Sequence, residues 1–223
     1  MTTPDEKRGN QVDAPGASAR REYERRTAKD NAATKAKWGV FGDVAVALTP
    51  ERQSTRVWNT GAIGERQVGV ALDRLASESI RVMHDRRVPR SKANIDHIVV
   101  TAGGVWVIDT KRYLGKAPER RVEGGLFRPR VELLFVKGRD KTSLVDGVLK
   151  QKQHVREAVG DVPVAGVLCF VDAEWPLFSD PFIVNGVQVV WPKKLVTMLQ
   201  RSTDPVIEVA TVAEMLERRF ARA

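Results

Sequence analysis

Two aspartates and a lysine stand close together where two runs of β-branched residues meet a glycine pair. Gly103-Gly104 supplies the conformational freedom of a two-residue hairpin turn, so the two runs are predicted to pair as antiparallel strands. In that register Asp96 lies opposite Lys111. Because side chains alternate along a strand, Asp96, Asp109 and Lys111 then project from one face. Charged groups among valines are costly as a structural device, and this grouping is typical of a metal site with a catalytic lysine.

The prediction depends on the register of the hairpin. A three-residue loop would send Asp96 to the opposite face, because a shift of one residue reverses side-chain direction. The Asp109-x-Lys111 spacing survives either loop, since both residues share one strand. The spacing alone is weak evidence: about one or two acid-x-Lys matches are expected by chance in a chain this long. Asp5-x-Lys7, in a polar N-terminal region, is a second match, and only the copy in an apolar strand has a suitable setting.

A third carboxylate precedes the hairpin on a predicted amphipathic helix. Val68, Leu72 and Leu75 form the apolar stripe of this helix, and one turn earlier the same stripe reaches Glu65. A carboxylate facing the core needs a charge partner or a metal ion. The alternative is that Glu65 lies in the first helical turn, where an acid favours the helix dipole and stays solvated.

These segments carry a resemblance to a known family. Gly64-Glu65, the run Ile95–Val100, the run Gly104–Lys111 and Gly115 resemble the NERD (nuclease-related) domain, over approximately residues 58–170. That domain is assigned to the PD-(D/E)xK superfamily of restriction-endonuclease-like nucleases. The resemblance implies an α/β fold with an αβββαβ core, in which helices flank a central mixed sheet.

The resemblance also implies roles for individual residues. Glu65 matches the helix glutamate of the family, and Asp96 matches the first metal-binding aspartate. Asp109 and Lys111 match the (D/E)xK pair. Glutamate is frequent at the position of Asp109, and the shorter aspartate is a permitted ligand. Gln151 resembles a glutamine often found on the helix after the hairpin, although neighbouring Gln153 allows a second alignment.

The implied activity is metal-dependent hydrolysis of nucleic acid, with low sequence specificity because no base-reading element is evident. Mg²⁺ or Mn²⁺ would be bound by hard oxygen ligands. These ligands are the carboxylates of Asp96 and Asp109, Glu65 directly or through water, and the main-chain carbonyl of Thr110. Lys111 would orient the attacking water or stabilise the developing phosphorane charge, and Gln151 would help to position either group.

The charge of the chain favours a polyanionic partner. The formal net charge is +9, so nucleic acid is the simplest partner, with DNA favoured over RNA. No basic amphipathic helix with an aromatic apolar face is evident, so no membrane partner is expected. Basic residues that follow the acidic strand are predicted to contact backbone phosphates. They are Arg120, Arg121, Arg128, Arg130, Lys137, Arg139 and Lys141. The alternative is an exposed edge hairpin protected by charge.

Composition excludes several other classes of site. The single cysteine, Cys169, lies in an apolar run and is predicted to be a small core residue, so no disulfide or cysteine zinc site is expected. The histidines lack metal-ligand spacing, and His97 alternates away from Asp96 and is predicted to pack or hydrogen-bond instead. No signal-peptide or transmembrane run is evident, so a cytoplasmic location is expected.

Periodicity and turn residues predict the elements around the site. Helices are predicted over 61–76, 144–159, 192–200 and 209–222, and strands over 79–83, 94–101, 105–111, 126–128, 131–136, 164–171 and 187–191. Residues 1–52 are predicted to be a polar, flexible region, with a transient helix considered over 17–37. Residues 53–175 are predicted to be the nuclease core, and 176–223 a helical extension that completes it.

Two other functions remain open from the sequence. The first is a catalytically silent nucleic-acid-binding or adaptor module that retains the fold. The second is a structural cluster in which Lys111 neutralises Asp96 across the strands. The presence of all four residues of the family pattern favours catalysis over both. A homodimer is compatible with the superfamily, in which many enzymes cut both strands as dimers.

Overall fold

The computed structural model describes residues 15–38, 46, 53–91, 93–125, 128–204 and 206–223, with backbone only at 38 and over 53–59. The helices are α1 (Ala17–Trp38), α2 (Gln53–Asp73), α3 (Thr142–Val159), α4 (Pro192–Gln200) and α5 (Val209–Arg219). The strands are β1 (Ile80–Arg87), β2 (Asn94–Thr101), β3 (Gly104–Lys116), β4 (Glu119–Gly125), β5 (Arg128–Val136), β6 (Arg139–Asp140), β7 (Val164–Glu174), β8 (Phe182–Val184) and β9 (Val187–Val190).

A six-stranded mixed sheet forms the centre of the molecule, in the order β1-β2-β3-β7-β9-β8. The first three strands are an antiparallel meander, β7 is parallel to β3, and β9 is parallel to β7. A parallel pair requires a crossover connection, and α3 lies in the connection between β3 and β7. The chain order from α2 to β7 confirms the predicted αβββαβ core and its restriction-endonuclease-like architecture.

Helices cover both faces of this sheet. On one face Val68 and Leu72 of α2 are buried against Ile108 of β3, which confirms the predicted stripe, and α4 joins the same cluster. On the other face α3 and α5 pack on the hairpin, for example Val155 near Val107. Each such side chain contributes about 1.5–3 kcal/mol when it leaves water. The strands that carry the predicted site are therefore held between two apolar layers.

The hairpin of β2 and β3 turns one residue earlier than predicted. Thr101 pairs with Gly104, so Ala102 and Gly103 form the two-residue turn, and the predicted turn at Gly103-Gly104 is wrong. Gly104 has φ 130°, and a Cβ there would lie 2.5 Å from the Pro163 carbonyl oxygen. Gly104 is therefore required by this close approach. A two-residue turn moved by one position changes each partner by two residues, so the predicted faces of the side chains are preserved.

A second sheet of three strands, β4-β5-β6, follows β3. Leu134 and Val136 of β5 are buried in a cluster with α3 and β7. The predicted strand over 131–136 is confirmed within the longer β5. The predicted strand over 126–128 begins outside the described residues, whereas β4 occupies 119–125, where no strand was predicted.

The described part of the N-terminal region is a helix, over nearly the range 17–37 in which a helix was considered. Ala17 and Ala19 are buried, and the Ser18 N–H donates a 3.2 Å hydrogen bond to Asp85 of β1. The expectation of a flexible region does not apply to this docked segment. The rest of residues 1–52, apart from 15, 16 and 46, lies outside the described residues, and the domain boundaries stay a prediction.

The C-terminal elements follow their sequence signals. Pro192 occupies the first turn of α4, where its missing N–H costs nothing. Cys169 is fully buried in β7, as predicted for a core residue. In the described part of the chain no helix combines the length and the apolar character needed to cross a bilayer.

Candidate active site

Asp109 and Lys111 lie on β3, where the apolar strand leaves the core. The side chains of Val107, Asp109 and Lys111 follow one another on a single face of the strand. The Lys111 Nζ donates a hydrogen bond to Asp109 Oδ1, and only 6% of the Asp109 surface is exposed. The two predicted (D/E)xK residues therefore form an ion pair at the edge of the core.

Asp96 is tied to the same strand through the backbone. The Asp96 Oδ2 accepts a 2.8 Å hydrogen bond from the Thr110 N–H, which lies between the two residues of the pair. Thr110 is also the predicted carbonyl ligand. The ladder of backbone pairs between β2 and β3 ends at His97 and Ile108, so this side-chain bond continues the contact beyond the last backbone pair. The predicted pairing of Asp96 with Lys111 is wrong by two residues. Asp96 nevertheless interacts electrostatically with both Asp109 and Lys111.

Glu65 reaches the cluster from α2 because Gly64 allows a close approach. A Cβ at residue 64 would lie 3.0 Å from the Arg112 Cβ and 3.5 Å from the Thr110 Cγ2, so the helix backbone sits directly on β3. Burial raises the pKa of Glu65 to about 7, with Asp85 and Asp109 adding to the rise and Lys111 opposing it. The environment of Glu65 is therefore not that of a solvated first-turn acid.

A fourth carboxylate, Asp85, belongs to the same group and was not predicted. His84 pairs with His97 and Arg86 with Ile95, so Asp85 lies across from Asp96 between β1 and β2. Asp85 is 4% exposed, has φ 48°, and accepts hydrogen bonds from the N–H and the hydroxyl of Ser18. The sequence missed it because the apolar signal of the strand ends at residue 83, whereas β1 continues to Arg87.

The four carboxylates, Glu65, Asp85, Asp96 and Asp109, are named the acidic cluster. Burial raises the pKa of Asp96 well above its ordinary value; Glu65 and Asp109 add to this, while Lys111 and the Thr110 N–H oppose it. Burial alone would lower the pKa of Lys111, but the attraction of Asp109, Asp96 and Glu65 outweighs burial and raises it. Lys111 interacts with three of these acids, Asp109, Asp96 and Glu65, so negative charge exceeds positive charge in a low-dielectric setting.

The donor chemistry of the acidic cluster fits a hard divalent cation. Asp96 and Asp109 each have one carboxylate oxygen hydrogen-bonded by the protein, and the second oxygen of each accepts no hydrogen bond from the described residues. Carboxylate oxygens are the ligands preferred by Mg²⁺ and Mn²⁺. Among the described residues, however, no three acids, histidines or cysteines are oriented as a complete metal-binding group. Side-chain rotation within the cluster would accompany binding of a cation.

Gln151 lies beside this group rather than within its hydrogen bonds. Its Nε2 donates a 3.2 Å bond to the Asn94 carbonyl, at the start of the strand that carries Asp96. Its Oε1 is buried and has no partner among the described residues. Gln151 therefore links α3 to β2 and retains one unused acceptor, and its predicted catalytic role stays a prediction.

His97 points away from the acidic cluster, as predicted. It is fully buried, and its Nδ1 lies 2.8 Å from His84 Nδ1, while His84 Nε2 lies 2.8 Å from Asp73 Oδ1. Burial lowers the pKa of His97 well below its ordinary value, and His84 adds to this effect. The imidazole is therefore neutral and packed on the α2 side of the sheet.

The predicted basic residues lie mainly on the second sheet and the turns beside it. Two of them are engaged within the sheet: Arg120 lies 3.6 Å from Glu132, and Arg121 lies 3.5 Å from Glu119 and 3.9 Å from the centre of the Phe135 ring. The others are Arg128, Arg130, Lys137, Arg139 and Lys141, for which no ion pair is found within the described residues. This surface is basic but interleaved with acids, and its nucleic-acid contacts stay a prediction.

A family model described as NERD, nuclease-related domain, matches residues 60–171. The match covers half of the chain and includes every predicted catalytic residue, from Glu65 to Gln151. No curated protein and no solved structure matches the chain.

Proposed function

Because this chain belongs to the nuclease-related domain (NERD) family, we propose that it is a divalent-metal-dependent nuclease. Its substrate is nucleic acid, with DNA favoured over RNA, and its sequence specificity is low. The observation that carries the proposal is the hydrogen bond from Thr110 to Asp96. This bond connects two family motifs. It holds the buried Asp96 close to Glu65, Asp109 and Lys111.

The residues of the site have two roles, metal binding and stabilisation of negative charge. Asp96, Asp109 and Glu65 hold Mg²⁺ or Mn²⁺, with the Thr110 carbonyl as a further oxygen ligand. A bound divalent cation supplies a water of lowered pKa and neutralises charge on the scissile phosphate. Lys111 keeps its proton, because its acidic neighbours raise its pKa, and it stabilises the charge that develops on the phosphoryl oxygens.

The decisive experiment is cleavage of supercoiled plasmid and of an end-labelled single strand with Mg²⁺, Mn²⁺ or EDTA. Asp109→Asn is compared with Asp161→Asn, which changes an exposed acid on the turn after α3. Metal-dependent cleavage that is lost in Asp109→Asn and kept in Asp161→Asn supports the nuclease. Equal cleavage by both variants would contradict the assignment.

One observation favours a second candidate, the silent nucleic-acid-binding module. The Asp109 carboxylate is engaged by Lys111, and no complete metal-binding group is oriented among the described residues. Thermal unfolding separates the two candidates, because a ligand that binds the folded state raises the melting temperature. A rise with Mn²⁺ that Asp109→Asn abolishes supports the nuclease. Binding of nucleic acid without a metal effect or cleavage supports the module.

A further inference from the structure

A cleft with arginines on both sides lies between α1 and the turn from β1 to β2. Its volume is about 450 Å³. Arg21 and Arg25 of α1 line one side, and Arg87, with Ser91 and Asn94, lines the other. None of these residues was predicted to contact a ligand. The cleft combines guanidinium groups with hydroxyl and amide groups, which is the donor set that recognises phosphate.

The cleft adjoins the acidic cluster through covalent and hydrogen-bonded neighbours. Asn94 is two residues before Asp96, and the Asn94 carbonyl accepts the bond from Gln151. Ser18 lines the cleft and also holds Asp85. Two residues before Ser18, a Cβ at Gly16 would lie 3.4 Å from the Glu65 Cβ. A ligand in the cleft is therefore next to the carboxylates of the candidate active site.

The side chains that line the cleft carry three guanidinium groups and one carboxylate, and the Arg21 guanidinium donates a hydrogen bond to the Ala223 carbonyl. Glu22 is the acidic side chain on its wall, and Arg25 binds it through Nε at 2.9 Å and Nη2 at 2.8 Å. Hydrogen bonds from Arg25 and Arg26 lower the pKa of Glu22 to about 2, so Glu22 stays ionised and holds the Arg25 side chain in place. The Arg87 guanidinium has no hydrogen-bond or ion-pair partner within the described residues. Its five N–H donors are available to a ligand.

The two basic regions of the molecule differ in their relation to the active site. Arg120 and Arg121 on the second sheet already pair with glutamates. Arg87 is unpaired within the described residues and lies on the strand that also carries Asp85. Asn94 of the cleft and Asp96 are two residues apart on β2, roughly 6.6 Å at the ordinary rise of a strand, so a nucleic-acid strand bound at Asp96 would place a neighbouring phosphate at the cleft.

We propose that this cleft binds a backbone phosphate of the nucleic acid, beside the phosphate at the acidic cluster. The proposal rests on the proposed function for the identity of the ligand. It makes α1 part of the substrate-binding surface and Arg87 its principal phosphate ligand. Because phosphate contacts carry no base information, the cleft strengthens binding equally for all sequences.

The test is fluorescence anisotropy of a labelled oligonucleotide with EDTA present, at several salt concentrations. Arg87→Ala is compared with Arg130→Ala on the second sheet and with Arg201→Ala, an exposed arginine after α4. Arg87→Ala is expected to weaken binding roughly three- to tenfold and to reduce the slope of log K against log salt by about 1. Arg201→Ala is expected to bind like the unmodified protein.

The opposite results overturn the proposal. Unchanged affinity and salt slope in Arg87→Ala would do so, and weakening confined to Arg130→Ala would move phosphate binding to the second sheet. Weaker binding by Arg87→Ala in a protein that does not cleave leaves the cleft supported and removes only the nuclease.

A second readout does not use nucleic acid. Inorganic pyrophosphate is expected to raise the melting temperature of the unmodified protein and to lose this effect in Arg87→Ala. An equal rise in both proteins would contradict an anion site at Arg87. Arg87 is exposed, so its substitution leaves the core intact.

Discussion

The two faces of strand β2 both bury polar groups, yet they differ in charge balance. On one face Asp96 joins three further acids and one lysine, and its pKa is raised by burial and by its acidic neighbours. On the other face the next residue, His97, continues through His84 to Asp73 in a chain of two hydrogen bonds. Burial of polar residues is thus common to both faces, and only one face holds an excess of charge.

Three of the four ring nitrogens in the histidine chain are hydrogen-bonded without any ligand. A neutral His97 that donates from Nδ1 to His84 leaves His84 Nε2–H to donate to Asp73. The remaining His97 Nε2 has no partner within the described residues. A single buried ring nitrogen without a hydrogen bond costs little free energy, whereas buried carboxylates of like charge repel one another. The imbalance of charge, rather than burial, therefore distinguishes the candidate active site.

The largest expected difference between the faces is in catalysis. Asp96→Asn removes a charged metal ligand and is expected to lower cleavage by at least about a thousandfold. Asp73→Asn, at the end of the histidine chain, is expected to change the rate less than about threefold. Plasmid cleavage under single-turnover conditions measures both. Comparable losses in the two variants would remove the functional distinction between the faces.

The second prediction reverses this order for stability. His97→Ala leaves a cavity beside α2 and is expected to lower the free energy of unfolding by roughly 3 kcal/mol. Asp96→Asn relieves repulsion in the metal-free protein and is expected to leave stability unchanged or higher. Urea unfolding at pH 8 with EDTA measures both. Marked destabilisation by Asp96→Asn would mean that the acidic cluster is a structural ion-pair network.

The third prediction concerns pH. The pKa of Glu65 is about 7 in the folded protein and 4.5 in its ordinary state, so the folded protein binds this proton more tightly. The free energy of unfolding without metal is therefore expected to fall as the pH rises from 4.5 to above 7, by at most about 3 kcal/mol. Glu65→Gln is expected to flatten the fall, and urea titrations across this range measure it. If the free energy of unfolding of Glu65→Gln depends on pH as it does in the unmodified protein, ionisation of Glu65 is not the cause of the fall.

The smallest expected effect concerns α2. This helix carries Glu65 of the acidic cluster and Asp73 at the end of the histidine chain. Gly64→Ala places a Cβ 3.0 Å from that of Arg112 and is expected to cost about 1 kcal/mol and to shift Glu65. Cleavage is expected to fall several-fold, with the melting temperature only slightly reduced. Gly147→Ala is the matched control, because no neighbouring atom lies within 4 Å of its Cβ position. Equal activity in the two variants would show that the close approach of α2 is not needed.

Much of the candidate site could be predicted because it depends on local periodicity. Asp109 and Lys111 share a face whatever the tertiary structure, since two residues of one strand differ by a full alternation. The stripe of Val68 and Leu72 likewise placed Glu65 toward the core. The predicted faces of the hairpin side chains are correct although the turn lies one residue earlier. A two-residue turn moved by one position shifts each partner by two residues, which leaves each side chain on the same face.

The rest depended on contacts between distant segments. Asp85 follows a short apolar run, and only its pairing with β2 brings it opposite Asp96. Gly104 lies against the Pro163 carbonyl, 59 residues later in the chain, and no local pattern in the sequence records this approach beside the turn. The docking of α1 depends on Ser18 meeting Asp85, 67 residues later in the chain.

The sequence by itself therefore determined the class of fold and the residue types of the site, with the face on which Asp96, Asp109 and Lys111 lie. These follow from periodicities of two and 3.6 residues, which act within single elements. Only the tertiary structure decided that Asp85 joins the acidic cluster, that Gln151 bonds to Asn94, and that α1 closes an arginine-lined cleft beside them. Such contacts depend on packing between segments far apart in the chain, and the packing sets burial and charge balance.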